Sequence, residues 1–258
     1  MWLVTKIVIM AFLVLSILLN VSTETRRKAW WAPAMGVVAC ALPSSGMPVA
    51  GGIVFLPMLT RIGGLPARDA VAFAAATQTV GVGILAPLNW LFHDRRVFVR
   101  NGRGDIFLLT TLPSFGGVAL TKLINVPDEV TMWAFTAFVA VVAIYTFWFA
   151  SKSGFNQGNK TPNHNEIKLF TTGPICMITL LSFFGGISVG IIGIGIEKLL
   201  FVYLTWIYDI DSRSAGITSI ISVGIASGFS FTWHAWAQEV PYDWWLMVLP
   251  GILLGKSR

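Results

Sequence analysis

The sequence predicts an all-α polytopic membrane protein that forms a single transmembrane domain over residues 1–258. Three observations predict this class. The chain is 55% hydrophobic and 12% charged, whereas an average soluble domain is about 25% charged. Its apolar residues fall into segments of about 20, the length at which a helix crosses a bilayer. An apolar segment broken by glycine, proline and serine also occurs once in each half, which indicates an internal duplication.

The two halves are expected to be structural repeats that together supply roughly seven to eight transmembrane segments. Repeat 1 covers about residues 1–128 and repeat 2 about residues 129–258, with a polar linker at 151–168. Each repeat is predicted to contain one broken or re-entrant helix, because glycine and proline interrupt helices. The linker is rich in asparagine and glycine and is expected to be exposed to water.

The first elements follow from hydropathy and flanking charge. Residues 2–21 are predicted to be a first span, although Lys6 ahead of an apolar core also fits a signal peptide. The basic run at 26–28 and the pair Trp30-Trp31 indicate a membrane interface. The first broken segment and the spans that complete this part of the chain are predicted at residues 32–60, 70–92, 105–124 and 130–150.

The second half repeats this order. Residues 169–208 hold the second broken segment, and 215–237 form a span that ends in Trp233 and Trp236. A last span begins at 246–254 and is short. The sequence leaves open whether each broken segment crosses the membrane. If the segments cross, the repeats are parallel. If they are re-entrant hairpins, each repeat has an odd number of crossings and the repeats are inverted.

Orientation follows from the positive charges in both cases. Both arrangements of the broken segments place the loop with Arg95, Arg96, Arg100 and Arg103 on the same side of the membrane as residues 152–168. Seven basic residues lie there, which predicts that this side is cytoplasmic. We expect an integral protein of the cell membrane, inner or plasma.

Several other classes of protein are disfavoured. The net charge of +6 does not indicate nucleic-acid binding, because the basic residues flank apolar spans and do not form one footprint. Cys40 and Cys176 are expected to be small buried hydrophobes. The histidines lack metal-ligand spacing, and no catalytic motif is present. We therefore predict no enzyme activity, no metal, no catalytic residue and no cofactor.

The broken segments carry the predicted substrate site. A second helical leg begins after each break, and its unpaired N–H groups with the positive end of the helix dipole attract anions. Small residues let an oxyanion approach that backbone closely, although they also serve helix packing. The candidates in the two breaks are Ser44, Ser45, Gly46, Gly51 and Gly52 in the first, and Gly190, Gly193 and Gly195 in the second.

The helix after each break adds polar groups at a similar depth. Gln78 lies in an otherwise apolar span, and such an amide is expected to bind either another helix or a ligand. Thr77 and Thr79 flank it, and Ser219 and Ser222 with Thr218 occupy the second half. Of these, Gln78, Ser219 and Ser222 are predicted to bind substrate. The serine and threonine hydroxyls could instead bond to their own helices.

Glu197 and Lys198 are adjacent charges in an apolar run. An ionisable residue within a span is a candidate functional residue, and Glu197 is expected to carry a proton coupled to anion movement. The alternative is that both residues lie near an interface, where Lys198 extends toward the headgroups.

The duplicated pattern resembles the sulfite exporter TauE/SafE family, also called the TSUP anion transporters. The residues that carry the resemblance are 48–52 followed by Pro57-Met58-Leu59, and Gly193-Ile194-Gly195 followed by Ala215, Thr218 and Ser219. It covers the chain from about Trp31 to Gly255. The sequence departs from the family pattern at Pro48, at Glu197 and Lys198, and in its shortened final helix.

This resemblance implies a secondary transporter that exports sulfite, an organosulfonate or a related sulfur oxyanion out of the cytoplasm. The implied partners are a small anionic substrate and the lipid bilayer, with a homo-oligomer or a membrane complex as further candidates. The alternative function is a non-transporting membrane subunit packed in a larger membrane protein complex.

Overall fold

A computed structural model of the chain describes residues 2–44, 52–93, 104–124, 126–152, 172–195, 197–206, 210 and 212–255. Within these ranges the chain forms helices and turns and no β-strand. The all-helical prediction is therefore confirmed. Ser45, Gly46 and Gly51, which belong to the first break in the sequence, lie outside the described residues, as do the basic segment 94–103 and residues 153–171.

Among the described residues, the helices of the first half lie between residues 2 and 123. They are α1 (Trp2–Asn20), α2 (Thr23–Lys28), α3 (Ala32–Ser44), α4 (Gly52–Arg61), α5 (Ala67–Gln78), α6 (Ala86–His93) and α7 (Gly104–Leu123). A π-helical segment, Thr79–Leu85, joins α5 to α6 without interruption. The second half contains α8 (Asp128–Lys152), α9 (Thr172–Ile192), α10 (Glu197–Trp206), α11 (Ser212–Trp236) and α12 (Tyr242–Gly255).

Four helices in the described part of the chain are long and apolar enough to cross a membrane. They are Ala67–Leu88, Ile106–Leu123, Ile175–Ile192 and Ser214–Trp236. Shorter apolar helices cover Ile9–Asn20, Gly52–Arg61 and Tyr242–Leu254. One prediction was wrong: Cys176 on α9 is exposed. Burial does not follow from an apolar sequence here, because apolar side chains of a membrane helix can face lipid.

Two helix pairs make the most extensive contacts, and both rely on glycine. In the α7–α9 pair, a Cβ on Gly186 would collide with the carbonyl of Ser114. In the α3–α12 pair, a Cβ on Gly36 would lie 2.7 Å from the carbonyl oxygen of Val248. Without a hydrophobic driving force between helices in lipid, close backbone packing of this kind holds them together.

The helix α10 runs back toward the start of α9. Leu200 of α10 shares a buried cluster with Ile106 near the start of α7 and Ile178 near the start of α9. The helices α9 and α10 therefore form a hairpin whose turn begins at Gly193. The helix α4 runs the opposite way along α5, with Phe55 and Phe73 packed edge to face at a centroid distance of 5.2 Å.

The centre of the bundle is the contact of α5 and the π-helical segment with α11. Gly83 faces Gly224, where a Cβ on Gly83 would lie 3.1 Å from the carbonyl oxygen of Gly224. This pair places Gln78, at the end of α5, directly beside α11. The largest apolar cluster of the described residues includes Phe55, Phe73 and Ile194, all fully buried.

Candidate functional site

Gln78 joins three separate parts of the chain. Its Nε2 donates a hydrogen bond of 2.7 Å to the carbonyl oxygen of Gly193, in the second break. Its Oε1 accepts a bond of 2.8 Å from the Ser227 hydroxyl on α11. The side chain is only 2% exposed. The prediction that this amide binds a group outside its own helix is thus confirmed. Among the described residues, no acceptor is bound to the second N–H of the amide.

Gly52 brings the first break to the same point. It is the first described residue after that break and begins α4. A Cβ at Gly52 would lie 2.6 Å from the Gly193 carbonyl oxygen and 3.0 Å from Nε2 of Gln78. Gly193 itself has a φ of 66°, a conformation that glycine adopts without steric cost. The two breaks therefore meet at Gln78, and we call Gly52, Gln78, Gly193 and Ser227 the Gln78 junction.

A π-helical segment starts immediately after this junction, at Thr79. Such wide turns are rare and are often found at functional positions of helices. The Thr79 hydroxyl bonds back to the carbonyl of Ala75 at 2.7 Å, which is the local role open to threonine in a helix.

Several buried hydroxyls along the facing helices have no hydrogen-bond partner among the described residues. They include Thr77 on α5 and Thr218 and Ser219 on α11, which are at most 5% exposed. Ser182 and Ser230 share this property. Buried polar groups in proteins are almost always hydrogen-bonded, so each exception requires an explanation such as water or an ion. Ser219 lies eight residues before Ser227, about 12 Å along the helix axis.

Two other predicted site residues serve helix contacts. The Ser222 hydroxyl donates to the Thr218 carbonyl at 2.9 Å and accepts from the Thr110 hydroxyl at 3.0 Å. Gly190 lies against Thr121 of α7, where a Cβ would collide with the threonine hydroxyl. Gly195 is buried in the second break. Ser44 ends α3 and Glu197 begins α10, and the side chains of both lie outside the described part.

A second group of residues was not predicted from the sequence. It lies at the end of the bundle where α5 begins and α7 ends, which we call the Lys122 end. Lys122 Nζ donates to His234 Nε2 at 2.6 Å, and His234 Nδ1 lies 2.6 Å from Glu239 Oε2. Glu239 is also paired with Arg68. The only helpful signal in the sequence is that Lys122 and His234 interrupt apolar spans.

The charge of Lys122 determines the direction of these hydrogen bonds. As an ammonium, Lys122 can only donate, so His234 Nε2 accepts and the Nδ1–H donates to the Glu239 carboxylate. The imidazole is therefore neutral. Burial by itself would raise the pKa of Glu239, but the hydrogen bonds from His234 and Arg68 outweigh it and hold that pKa below its ordinary value.

A cavity of about 310 Å³ opens beside these hydrogen-bonded residues. Its wall includes the cations Arg68 and Lys122, the carboxylate Asp128, and Trp233 with His234. Val71, Gly190 and Ile191 line it on the side of the second break. The described residues hold no cluster of three or more His, Cys, Asp or Glu side chains that could bind a metal ion.

The comparison with known families decides the class of this chain. The profile of the family described as Sulfite exporter TauE/SafE matches residues 73–256, which is well over half of the sequence. The chain belongs to this family. No curated protein and no solved structure matches it significantly. The TauE/SafE match includes Gln78, Gly193 and Ser227, but it begins after the first broken segment.

Membership in the TauE/SafE family establishes the general class of function. The family consists of membrane transporters for anions and not of enzymes. The protein is thus an integral membrane protein with a small anion as substrate and the bilayer as its surroundings. The prediction of this family from the repeated glycine-rich breaks is confirmed.

Proposed function

We propose that this TauE/SafE protein exports a small sulfur oxyanion, sulfite or an organosulfonate, from the cytoplasm across the plasma membrane. The observation that carries the proposal is the Gln78 junction, where Gly52 of the first break contacts Gly193 of the second. Broken helices that meet between two halves are the usual substrate site of secondary transporters.

The proposal includes inverted repeats, which the packing of the helices supports. The contact of α7 with α9 has a counterpart in the contact of α12 with α3, and α4 packs on α5 as α10 packs on α11. The hairpin of α9 and α10 returns to the end of the bundle where α9 begins. The helix α4 leads from the junction to the opposite end. Re-entrant hairpins from the two faces then give three crossings in each repeat.

This arrangement also agrees with the proposed orientation. The helix α7 ends at the Lys122 end of the bundle, and α8 begins there. The start of α7, which follows the basic residues 94–103 in the sequence, and the end of α8, which precedes the polar linker, are therefore both at the opposite end. We assign that shared end to the cytoplasm on the basis of its basic residues, and the Lys122 end to the outside.

The chemistry proposed for the site needs no charged side chain. The first N–H groups of α4 and α10 have no partner within their helices, and they carry the positive ends of two helix dipoles. Further donors are proposed to be the second amide N–H of Gln78 and the hydroxyls of Thr77 and Ser219, which have no partner within the described part of the chain. Small residues at the breaks, among them Gly52, Gly193 and Gly195, leave the backbone accessible to an oxyanion.

Energy for export is proposed to come from an ion gradient. Glu197 is the first residue of α10 and directly follows the second break. A carboxylate at this position could take up a proton in one orientation of the transporter and release it in the other. We therefore propose that Glu197→Gln uncouples transport from a pH gradient while leaving downhill exchange of sulfite.

Flux of radiolabelled sulfite in proteoliposomes, measured with and without a pH gradient, tests the proposal. The parent protein is expected to transport sulfite, and Gly52→Leu is expected to abolish this flux because the larger side chain fills the junction. Gly173→Leu is a suitable control, since no atom of the described residues lies within 4 Å of a Cβ at Gly173. If the parent carries neither sulfite nor a small organosulfonate under any gradient, the proposal is wrong and a non-transporting subunit is favoured.

A further inference from the structure

The cavity at the Lys122 end lies next to the Gln78 junction without being part of it. Val71 lines the cavity, and a Cβ on Gly193 would lie 3.3 Å from the Val71 carbonyl oxygen. Gly190 and Ile191, which also line the cavity, precede Gly193 by less than one helical turn. An ion in the cavity would therefore be close to the break that Gln78 binds.

The size and position of the cavity suit a small ion. Its volume of about 310 Å³ is at the lower end of ligand pockets, which measure roughly 300–1,000 Å³. Five helices contribute to its wall, namely α5, α7, α8, α9 and α11. It is thus enclosed by protein on several sides, which strengthens electrostatic interactions relative to open water.

Two cations line the cavity, Arg68 and Lys122. Of these two, only Lys122 has no carboxylate partner among the described residues and could bind an anion. Glu239 is occupied by Arg68 and His234, and Asp128 accepts a hydrogen bond from the Ala67 backbone N–H at 3.2 Å. Asp69 lies near both of these carboxylates. Among the described residues Lys122 bonds only to the neutral ring of His234. Its charge is not compensated by an ion pair there, and its ammonium retains two N–H donors.

We infer that this cavity is a second binding site for a small oxyanion, in which the Lys122 ammonium binds the anion. The chain of His234, Glu239 and Arg68 holds the ammonium at the wall, because the ring accepts from it and the carboxylate fixes the ring. The site lies on the proposed route of the substrate between the Gln78 junction and the outside. It rests on the proposed function only in that sulfite is taken as the anion.

Equilibrium binding of radiolabelled sulfite to the purified full-length protein tests this inference. Indole fluorescence assigns the binding to the cavity, since Trp233 lines it and Trp233→Phe removes that signal. We expect Lys122→Met to abolish the Trp233-dependent change and to weaken binding at this site by about tenfold or more, the scale of one charge-assisted hydrogen bond. Lys122→Arg should retain the signal. Lys28→Met removes an exposed lysine of α2 and should leave binding unchanged.

A second pair of variants covers the case in which Lys122→Met does not fold. Ile124 lines the cavity and is 55% exposed, so Ile124→Glu adds a negative charge at the cavity without disturbing the interior. Ile62→Glu adds the same charge at an exposed position of the α4–α5 turn. We expect only Ile124→Glu to weaken the Trp233-dependent binding, by repulsion of the anion.

The outcomes separate the inference from the proposed function. If the parent transports sulfite but Lys122→Met and Ile124→Glu bind it like the parent, the cavity is not an anion site. If the parent shows Trp233-dependent binding that requires Lys122 but no flux, the cavity site stands and the proposed export of sulfite is wrong. A parent protein without any Trp233-dependent sulfite signal overturns the inference.

Discussion

The side-chain amide of Gln78 donates a 2.7 Å hydrogen bond to the carbonyl oxygen of Gly193, which lies 115 residues further along the chain. This bond joins the end of α5 to the turn between α9 and α10. The absence of a side chain at Gly52 allows it, because a Cβ there would lie 3.0 Å from the donating nitrogen. One amide thus links both breaks with α11, to which it is bound through Ser227.

Replacement of Gln78 tests this link. Gln78→Leu has a similar size but leaves the Gly193 carbonyl and the Ser227 hydroxyl buried without a partner. We expect the free energy of unfolding to fall by about 1–3 kcal/mol for each unpaired group, and sulfite flux to fall with it. Thermal unfolding in detergent and flux in proteoliposomes measure the two effects. Gln238→Leu, at an exposed position, is the matched control, and equal behaviour of both variants would contradict the assignment.

The contact between the breaks predicts a strong effect of one methyl group. A Cβ at Gly52 would lie 2.6 Å from the Gly193 carbonyl oxygen, a backbone atom that cannot move aside cheaply. Gly52→Ala should therefore lower stability by about 1–3 kcal/mol, as overpacking does elsewhere, and should reduce flux. In Gly216→Ala the new methyl group would meet Phe201 alone among the described residues, at 3.9 Å. Unfolding and flux of the Gly216 variant should remain close to those of the parent.

Ser219 and Ser222 are expected to respond differently to alanine. The Ser219 hydroxyl has no partner among the residues that the structure describes, so Ser219→Ala should not destabilise the fold but should reduce sulfite flux if the hydroxyl binds the anion. Ser222 bonds to both Thr110 and Thr218. Ser222→Ala should lower stability by about 1 kcal/mol. Flux normalised to folded protein distinguishes the two, and full flux in Ser219→Ala would remove Ser219 from the site.

The hydrogen bonds of Glu239 predict that the stability of the protein depends on pH. Hydrogen bonds from His234 and Arg68 lower its pKa in the folded protein relative to the ordinary value of 4.5. A carboxylate with a depressed pKa stabilises the fold above its unfolded pKa, and that contribution is lost as the pH falls through the folded pKa. The melting temperature of the parent should therefore fall more below pH 4.5 than that of Glu239→Gln.

Glu24 provides the comparison for that titration. Lys28 lowers its pKa through a hydrogen bond and a charge interaction, but the pair is fully exposed. Because solvent screens such pairs, Glu24→Gln should change the pH profile of melting little. If Glu239→Gln and the parent lose stability in parallel as the pH falls, the bonds of Glu239 do not stabilise the folded state.

The sequence predicted those hydrogen-bonding requirements that do not depend on how the helices pack. An amide in an apolar span requires a partner wherever the helix is placed, so the interaction of Gln78 could be predicted although Gly193 could not be identified as its acceptor. Ser222 was expected at the site, but it bonds to α7 and to its own helix. Its sequence pattern is the same as that of Ser219, and only the neighbouring helix distinguishes the two.

The Lys122 end could not be predicted in the same way. Lys122 and His234 are 112 residues apart, and each is a single polar residue near the end of an apolar helix. Sequence spacing indicates which residues share a face within one helix, but it does not indicate which helix ends are adjacent. The partnership of Lys122, His234, Glu239 and Arg68 depends on three helix ends meeting at one end of the bundle.

Composition, segment length and helix-breaking residues were enough to predict that this protein is helical, lies in a membrane and has two broken segments, because each of them acts locally on the backbone. The repeated glycine-rich breaks also indicated membership in the TauE/SafE family. Only the packing of the helices brings Gly52 against Gly193, positions Gln78 to hold them together, and forms the cavity lined by Lys122 beside them. These contacts join residues far apart in the chain, and they form only where glycine allows the backbones of packed helices to approach closely.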